Sequence, residues 1–211
     1  MKTLYAVRHG KTEANDKGVY QSEDSPLSKE GREQALILQK RFASIPIDVI
    51  CTSPLPRAHE TAEIINEKLR VPVETNDLLR EWKKPSSFIG KSLKGEQAKD
   101  FENALGSHRD DLNWKYEDEE SAAELRDRAA EFLEERKTAK AENTLVITHS
   151  VPLVTMLILV LLGKEENALA YHEISKNVSI ANTSITVFRL REDSQQWRLI
   201  TWNDYAHLGE L

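Results

Sequence analysis

The sequence contains a single cysteine, Cys51. It can form no intrachain disulfide and no cysteine-based metal cluster. With charged residues appearing almost at once after Met1 and no leader-like segment, the chain is expected in a reducing, cytoplasmic setting. Long hydrophobic runs are also scarce. The strongest, Val151 to Leu162, falls short of the roughly 20 residues that span a bilayer; it reads as a buried helix, and no membrane association is expected. Basic runs are missing as well. The 29 Lys and Arg against 35 Asp and Glu leave a net charge of -6, which gives no electrostatic case for a nucleic-acid partner. No internal repeat or low-complexity tract is present. No histidine and acid spacing suits a metal site, so neither metal nor cofactor is expected. The Asn177 and Asn182 glycosylation-type matches read as chance in the absence of a secretory signal.

What remains is an ordinary globular composition, 39% apolar and 30% charged, in a length that suits one domain. Short apolar runs alternate with helical patterns. Leu4 to Val7 reads as a buried strand that stops at Arg8-His9-Gly10. A helix follows from a Ser28 N-cap to Phe42, with Ala35, Leu36, Leu38 and Phe42 apolar along it. Asp48 to Thr52 is a second strand. After Pro54, a helix from Pro56 to Leu69 carries Ala58, Ala62, Ile65 and Leu69 at helical spacing. Val71 to Leu79 holds a weaker strand. Ser121 to Lys140 is an amphipathic helix, and Thr144 to Thr148 is the cleanest buried strand, ending at His149. Pro152 suits the first turn of the apolar helix. Ser179 to Leu190 and Trp197 to Trp202 alternate like strands around a turn at Glu192-Asp193-Ser194. Residues 82–120 are polar and irregular and are expected to form a small inserted lid region beside the core.

The pattern predicts one α/β domain over residues 1–211: three layers, with a mainly parallel central sheet flanked by helices. Ligands of such sheets bind beyond the carboxyl ends of the strands. Arg8, His9, Arg57 and His149 all fall at or just after strand ends, and Glu81 follows the weak strand. Arginine suits a phosphoryl group because its planar fork is always charged and can be bidentate. A histidine nucleophile has to be neutral, and two neighbouring arginines favour that form.

The segments Leu4 to Asn15, Asp24 to Gly31, Thr52 to Ala62 and Thr148-His149-Ser150 resemble the histidine phosphatase superfamily, which includes the cofactor-independent phosphoglycerate mutases. The resemblance spans residues 1–81 and 121–190. It implies a phosphomonoester hydrolase acting on a small phosphate ester. His9 would be the nucleophile; Arg8, Arg57 and His149 would bind the phosphoryl oxygens; Glu81 would donate a proton to the leaving group. Asn15 would add a hydrogen bond, and Gln21 is expected with it at the substrate. Ser150 and Val151 would offer backbone amides at the start of the apolar helix.

The chain departs from the common pattern of that superfamily in three places. Lys11 stands where Glu or Gln is usual, and Thr148-His149-Ser150 replaces Ser-His-Gly. Trp82-Lys83-Lys84-Pro85-Ser86-Ser87 follows Glu81 without the usual glycine and acid. The last makes Glu74 a reserve proton donor. Competing functions are a phosphoglycerate mutase, disfavoured by the missing Arg-Tyr-Tyr-Gly element, and an inactive phospho-ligand-binding protein on the same fold. His59, His108, His172 and His207 are read as structural. Phe88-Ile89-Gly90-Lys91-Ser92 is rejected as a P-loop because no strand precedes it. Lys83, Lys84, Lys91 and Lys94 are read as a solvated face, with an anion-attracting lid as the alternative. Trp82 and Trp114 are candidates for a pocket or for the interface of a homodimer.

Overall fold

The computed structural model describes residues 1–164 and 168–209. Its centre is a six-stranded sheet: β1 (Thr3–Arg8), β2 (Val49–Thr52), β3 (Val73–Thr75), β4 (Asn143–Thr148), β5 (Ile185–Leu190) and β6 (Trp197–Asp204). The order is β3-β2-β4-β1-β5-β6. Strands β3, β2, β4 and β1 run parallel, whereas β5 is antiparallel to both β1 and β6. The sheet is therefore mixed, with a parallel half that ends in the candidate residues.

Side-chain alternation along the strands separates two cores. Leu4 and Ala6 of β1, Cys51 of β2 and Val146 of β4 face one side. They meet Ala129, Phe132 and Leu133 of α5 (Ala122–Thr138) and Leu153 and Met156 of α6 (Ser150–Leu162). Val7, Ile50, Leu145 and Ile147 face the other side, against Leu38 and Phe42 of α2 (Lys29–Phe42) and Ala58, Ala62 and Ile65 of α3 (Pro56–Leu69). Fully burying side chains of this size is worth about 1.5–3 kcal/mol each, which fixes the helices on their faces and the strand ends at one edge.

Local chemistry sets the helix starts. Ser28 Oγ accepts the Gly31 amide at 3.1 Å, capping α2, and Ser121 closes a capping box with Glu124 on α5. Two close approaches need glycine. A Cβ on Gly10 would lie 2.5 Å from the Gly31 carbonyl oxygen, and one on Gly31 would overlap the Lys11 backbone. The loop after β1 is thus pressed against the first turn of α2.

Three helices were not anticipated. α1 (Glu13–Lys17) is one turn, capped by Thr12. α4 (Glu96–Ser107) lies in the segment read as irregular, and it buries only Ala98 and Phe101, too few for a clear periodic signal. α7 (Ala168–Asn177) buries Tyr171 alone. The weak strand also shrinks. β3 is three residues at the sheet edge, with every side chain exposed, and it gives way to a 3-10 turn at Asp77–Leu79. No helix among the described residues is long and apolar enough to cross a membrane.

Candidate active site

Parallel strands β1 and β4 end side by side, with Arg8 paired to Thr148, and the His9 amide bonds to the Thr148 carbonyl at 3.0 Å. This brings His9 and His149 together: their ring centroids are 5.0 Å apart at 60°. β2 ends beside β4, and Arg57 follows in the first turn of α3. Both histidines and Arg57 are buried, at 1%, 0% and 3% exposure.

The hydrogen bonds select a protonation state for His9. Its Nδ1 lies 2.7 Å from the Gly10 carbonyl oxygen. A carbonyl only accepts, so Nδ1 carries the hydrogen and Nε2 keeps its lone pair. Burial pushes the His9 pKa well below its ordinary value, and the Arg57 and Arg8 charges push it the same way, against the Gly10 bond. The ring is neutral at physiological pH. His149 is likewise held neutral, by burial and then by His9 and the arginines. Its Nε2 is 2.8 Å from Ser53 Oγ. The other ring nitrogen, Nδ1, is buried without a partner, as are Nε of Arg8 and Nε of Arg57. Buried donors are nearly always satisfied. Nε of Arg8 and Nε of Arg57, without a partner among the described residues, therefore keep bonding capacity for an anion. The Ser53 hydroxyl can give or take a hydrogen bond and leaves the His149 tautomer open. Each guanidinium is anchored through its other nitrogens: Arg8 Nη1 donates to the Ile180 carbonyl at 2.6 Å, and Arg57 Nη1 to the carbonyls of Ser22 and Glu23.

Glu81, from the segment after β3, lines a cleft with Arg8 and Arg57, whose lining does not include the buried His9 and His149. Its Oε1 accepts the amides of Trp82 at 2.9 Å and Val151 at 3.3 Å. The Val151 amide, expected to face an anion directly, is therefore given to Glu81. Ser150, Asn15 and Gln21 join Arg8, Arg57 and Glu81 in lining a cleft of about 550 Å³. Asn15 spends its side-chain oxygen on the Thr12 amide, and Gln21 Oε1 meets the Thr12 hydroxyl at 3.0 Å. Glu74, the reserve proton donor, is not in the cleft. It is exposed on β3 and pairs with Arg136 at 3.3 Å.

Comparison with known proteins decides the family. The sequence profile of the histidine phosphatase superfamily (branch 1) matches residues 4–205. The chain belongs to that superfamily. It is 30% identical to Phosphoserine phosphatase 1 of Hydrogenobacter thermophilus over 100% of this chain and 96% of that one. It is 29% identical to a 2,3-bisphosphoglycerate-dependent phosphoglycerate mutase of Thermoplasma acidophilum, over 89% of this chain and 86% of that one. Among solved structures, Bacillus stearothermophilus YhfR superposes with a TM-score of 0.82 at 25% identity, covering 99% of this chain and 100% of that one.

Residues that the sequence did not flag also brace the cleft. Arg128, on α5, donates to the carbonyls of Leu78, Arg80 and Glu81 and forms a two-pronged pair with Glu120. Thr148 Oγ1 bonds to the Leu79 carbonyl at 2.7 Å. Together they fix the backbone that presents Glu81. Thr61 receives the Gly10 amide and bonds back to the Arg57 carbonyl. The only hint of Arg128 in the sequence is its place beside the inward Leu125 and Ala129. Nothing marks it as aimed at another loop.

The lysine-rich segment divides. Lys83, Lys91 and Lys94 are exposed, as read for a solvated face. Lys84 contradicts that reading: its ammonium turns into the cleft, 3.3 Å from the centre of the Trp82 ring. The turn at Pro85, with a 3-10 turn at Ser86–Phe88, carries the chain inward there. Trp82 and Trp114 line one cavity, with Phe101 between them at 6.3 and 6.5 Å.

Proposed function

We propose that this chain hydrolyses small phosphate monoesters, without a metal ion, through a phosphohistidine on His9. The observation that carries the reading is the His9 tautomer: Nδ1 is tied to Gly10, so Nε2 holds a lone pair among fixed cations. Nε2 attacks phosphorus, an N–P bond forms, and the ester P–O bond breaks. Glu81 gives its proton to the departing alkoxide. Water then attacks the phosphohistidine and returns a proton to Glu81; the N–P bond breaks, and inorganic phosphate leaves. Arg8, Arg57 and His149 hold the three equatorial oxygens, whose charge grows in flight. Supplying that charge complement from two arginines is what makes a metal unnecessary. Ser150 adds its amide, while Asn15 and Gln21 shape the rim. The first step is shared with a mutase; the fate of the phosphoryl group separates the two reactions.

The test is hydrolysis of p-nitrophenyl phosphate in the presence of chelator, with wild type and His9→Ala, followed by a panel of phosphorylated metabolites. Turnover that ignores chelator and falls by at least about four orders of magnitude in the variant is expected, as for loss of a covalent nucleophile. Acid-labile phosphate should appear on the wild-type protein during turnover. Turnover that survives in His9→Ala would overturn the reading. Exchange of phosphoryl groups between phosphoglycerates without net hydrolysis would replace it with the mutase.

A further inference from the structure

A nucleophilic ring has to point one way, and the His9 ring is tied to the main chain beside it: Nδ1 lies 2.7 Å from the Gly10 carbonyl oxygen. Whatever fixes the backbone around position 9 therefore aims Nε2. Two peptide planes flank His9, each with one carbonyl and one amide. In the Arg8–His9 plane, the carbonyl accepts the Thr183 amide at 2.9 Å and the amide donates to the Thr148 carbonyl at 3.0 Å. In the His9–Gly10 plane, the carbonyl accepts Asn182 Nδ2 at 2.9 Å and the amide donates to Thr61 Oγ1 at 3.1 Å. The Thr61 hydroxyl gives its own hydrogen to the Arg57 carbonyl at 2.7 Å, so its oxygen is set to accept. The first plane is held by main chain and the second by two side chains. A turn of the second plane moves the Gly10 carbonyl on which the ring rests.

The segment that carries Asn182 is built to reach this place. It leads into β5 and is tied at both sides: Arg8 Nη1 donates to the Ile180 carbonyl at 2.6 Å, and the Ala181 amide to Asn203 Oδ1 at 2.8 Å. Thr183 is fully buried with φ at +58°, a left-handed conformation that β-branched residues rarely adopt. Strain of this kind persists only where the surroundings enforce it, and it gathers at functional sites. Through that turn the Thr183 amide and the Asn182 side chain meet two successive carbonyls, those of Arg8 and His9. The side chain of the Asn182-Thr183-Ser184 match is thereby turned onto the main chain of the candidate nucleophile.

We propose that Asn182 is a positioning residue for the nucleophile: with Thr61 it clamps the His9–Gly10 peptide from its two ends and keeps Nε2 of His9 aimed at the incoming phosphorus. The inference rests on the reading of His9 as nucleophile. Neither Asn182 nor Thr61 is among the described residues that line the cleft, so both act through position 9. Arg8 and Arg57, which hold the phosphoryl oxygens, keep their own anchors at Ile180, Ser22 and Glu23. Loosening the clamp therefore costs rate and spares affinity.

The experiment compares wild type, Asn182→Ala, Asn182→Asp, Thr61→Val, Thr61→Ser and His9→Ala in hydrolysis of p-nitrophenyl phosphate, with inhibition by orthovanadate and by inorganic phosphate. Orthovanadate becomes five-coordinate when the attacking nitrogen is in line, as in the transition state, whereas phosphate needs only the cations. Asn182→Ala should lower kcat by about 10- to 100-fold, the scale of a small misplacement of a reacting group. KM and inhibition by phosphate should stay within about twofold, and inhibition by vanadate should weaken by the same factor as kcat. Asn182→Asp turns a carboxylate on the His9 carbonyl and should lose at least as much. Thr61→Val should lose on the same scale, and Thr61→Ser should recover most of that loss. Combining Asn182→Ala with Thr61→Val should cost less than the product of the single losses, because both bonds hold one peptide. Thermal melts identify a variant that fails to fold; should Asn182→Ala be one, the Thr61 pair reads the same clamp from its other end. Full kcat in Asn182→Ala, or equal weakening of phosphate and vanadate inhibition, would overturn the inference and leave the catalytic reading standing. Hydrolysis that survives in His9→Ala would overturn the catalytic reading and this inference with it.

Discussion

The two halves of the cleft are built in opposite ways. The phosphoryl half grows from the ends of β1, β2 and β4, and its histidines and Arg57 are almost completely buried. The other half is walled by the insert, α4 and α7, with rings of Trp82, Phe101 and Trp114 between them. Strand ends are held by main-chain ladders and two packed cores, so atoms there can be placed finely. Loops held by aromatic contacts place atoms less finely but change more easily. If His9 is the nucleophile, reaction belongs to the sheet ends and choice of substrate to the insert.

Arg57→Lys is the sharpest way to break the comparison. The variant keeps the charge but loses the fork and the anchor to Ser22 and Glu23. A drop of about 100-fold in kcat/KM on every ester alike is expected, the scale of one lost transition-state donor. A loss confined to some esters would mean that the phosphoryl half also selects substrate. Arg128→Met tests whether Glu81 is positioned from behind. It should lower kcat by about tenfold with little change in KM, because misplaced catalytic groups lose rate before affinity. The loss should be larger for poor leaving groups, which need the proton, than for p-nitrophenolate. Equal losses on both would make Arg128 merely structural.

The smallest expected effect concerns acid. His9 and His149 are neutral in the fold, with pKa values depressed by burial. In the unfolded chain they take up protons below about pH 6.5. Their neutral burial therefore stabilises nothing above that value and is penalised as pH falls through it. Going from pH 7 to 5.5 should remove about 1 kcal/mol of stability per histidine, and His149→Gln should lose correspondingly less. Urea unfolding at the two pH values measures this. An unchanged difference between wild type and variant would show that His149 is not held neutral.

Legibility followed the same division. Arg8, His9, Arg57 and His149 could be read because each closes or follows an apolar run and sits in a motif whose spacing the backbone preserves. Glu81 could be read as a residue after a weak strand. The strand itself proved to be three exposed residues, since an edge strand buries little and so carries little pattern. The cavity beyond was not legible. Lys84 sits between Lys83 and Pro85 and looks like one of several surface lysines; only the turn that follows brings it inward. Glu119 lies in an acidic run, and nothing local tells which of those carboxylates is buried. α4 and α7 hide for a related reason, as each buries too few side chains to impose a period on its sequence.

The insert touches the rest of the molecule partly through main-chain bonds. Gly90 donates to the Tyr20 carbonyl, Tyr20 to the Lys91 carbonyl and Leu93 to the Gly18 carbonyl, each at 2.9 Å. Such links are blind to side-chain identity. New residues could be written into the segment without unpicking its seam to the loop after β1.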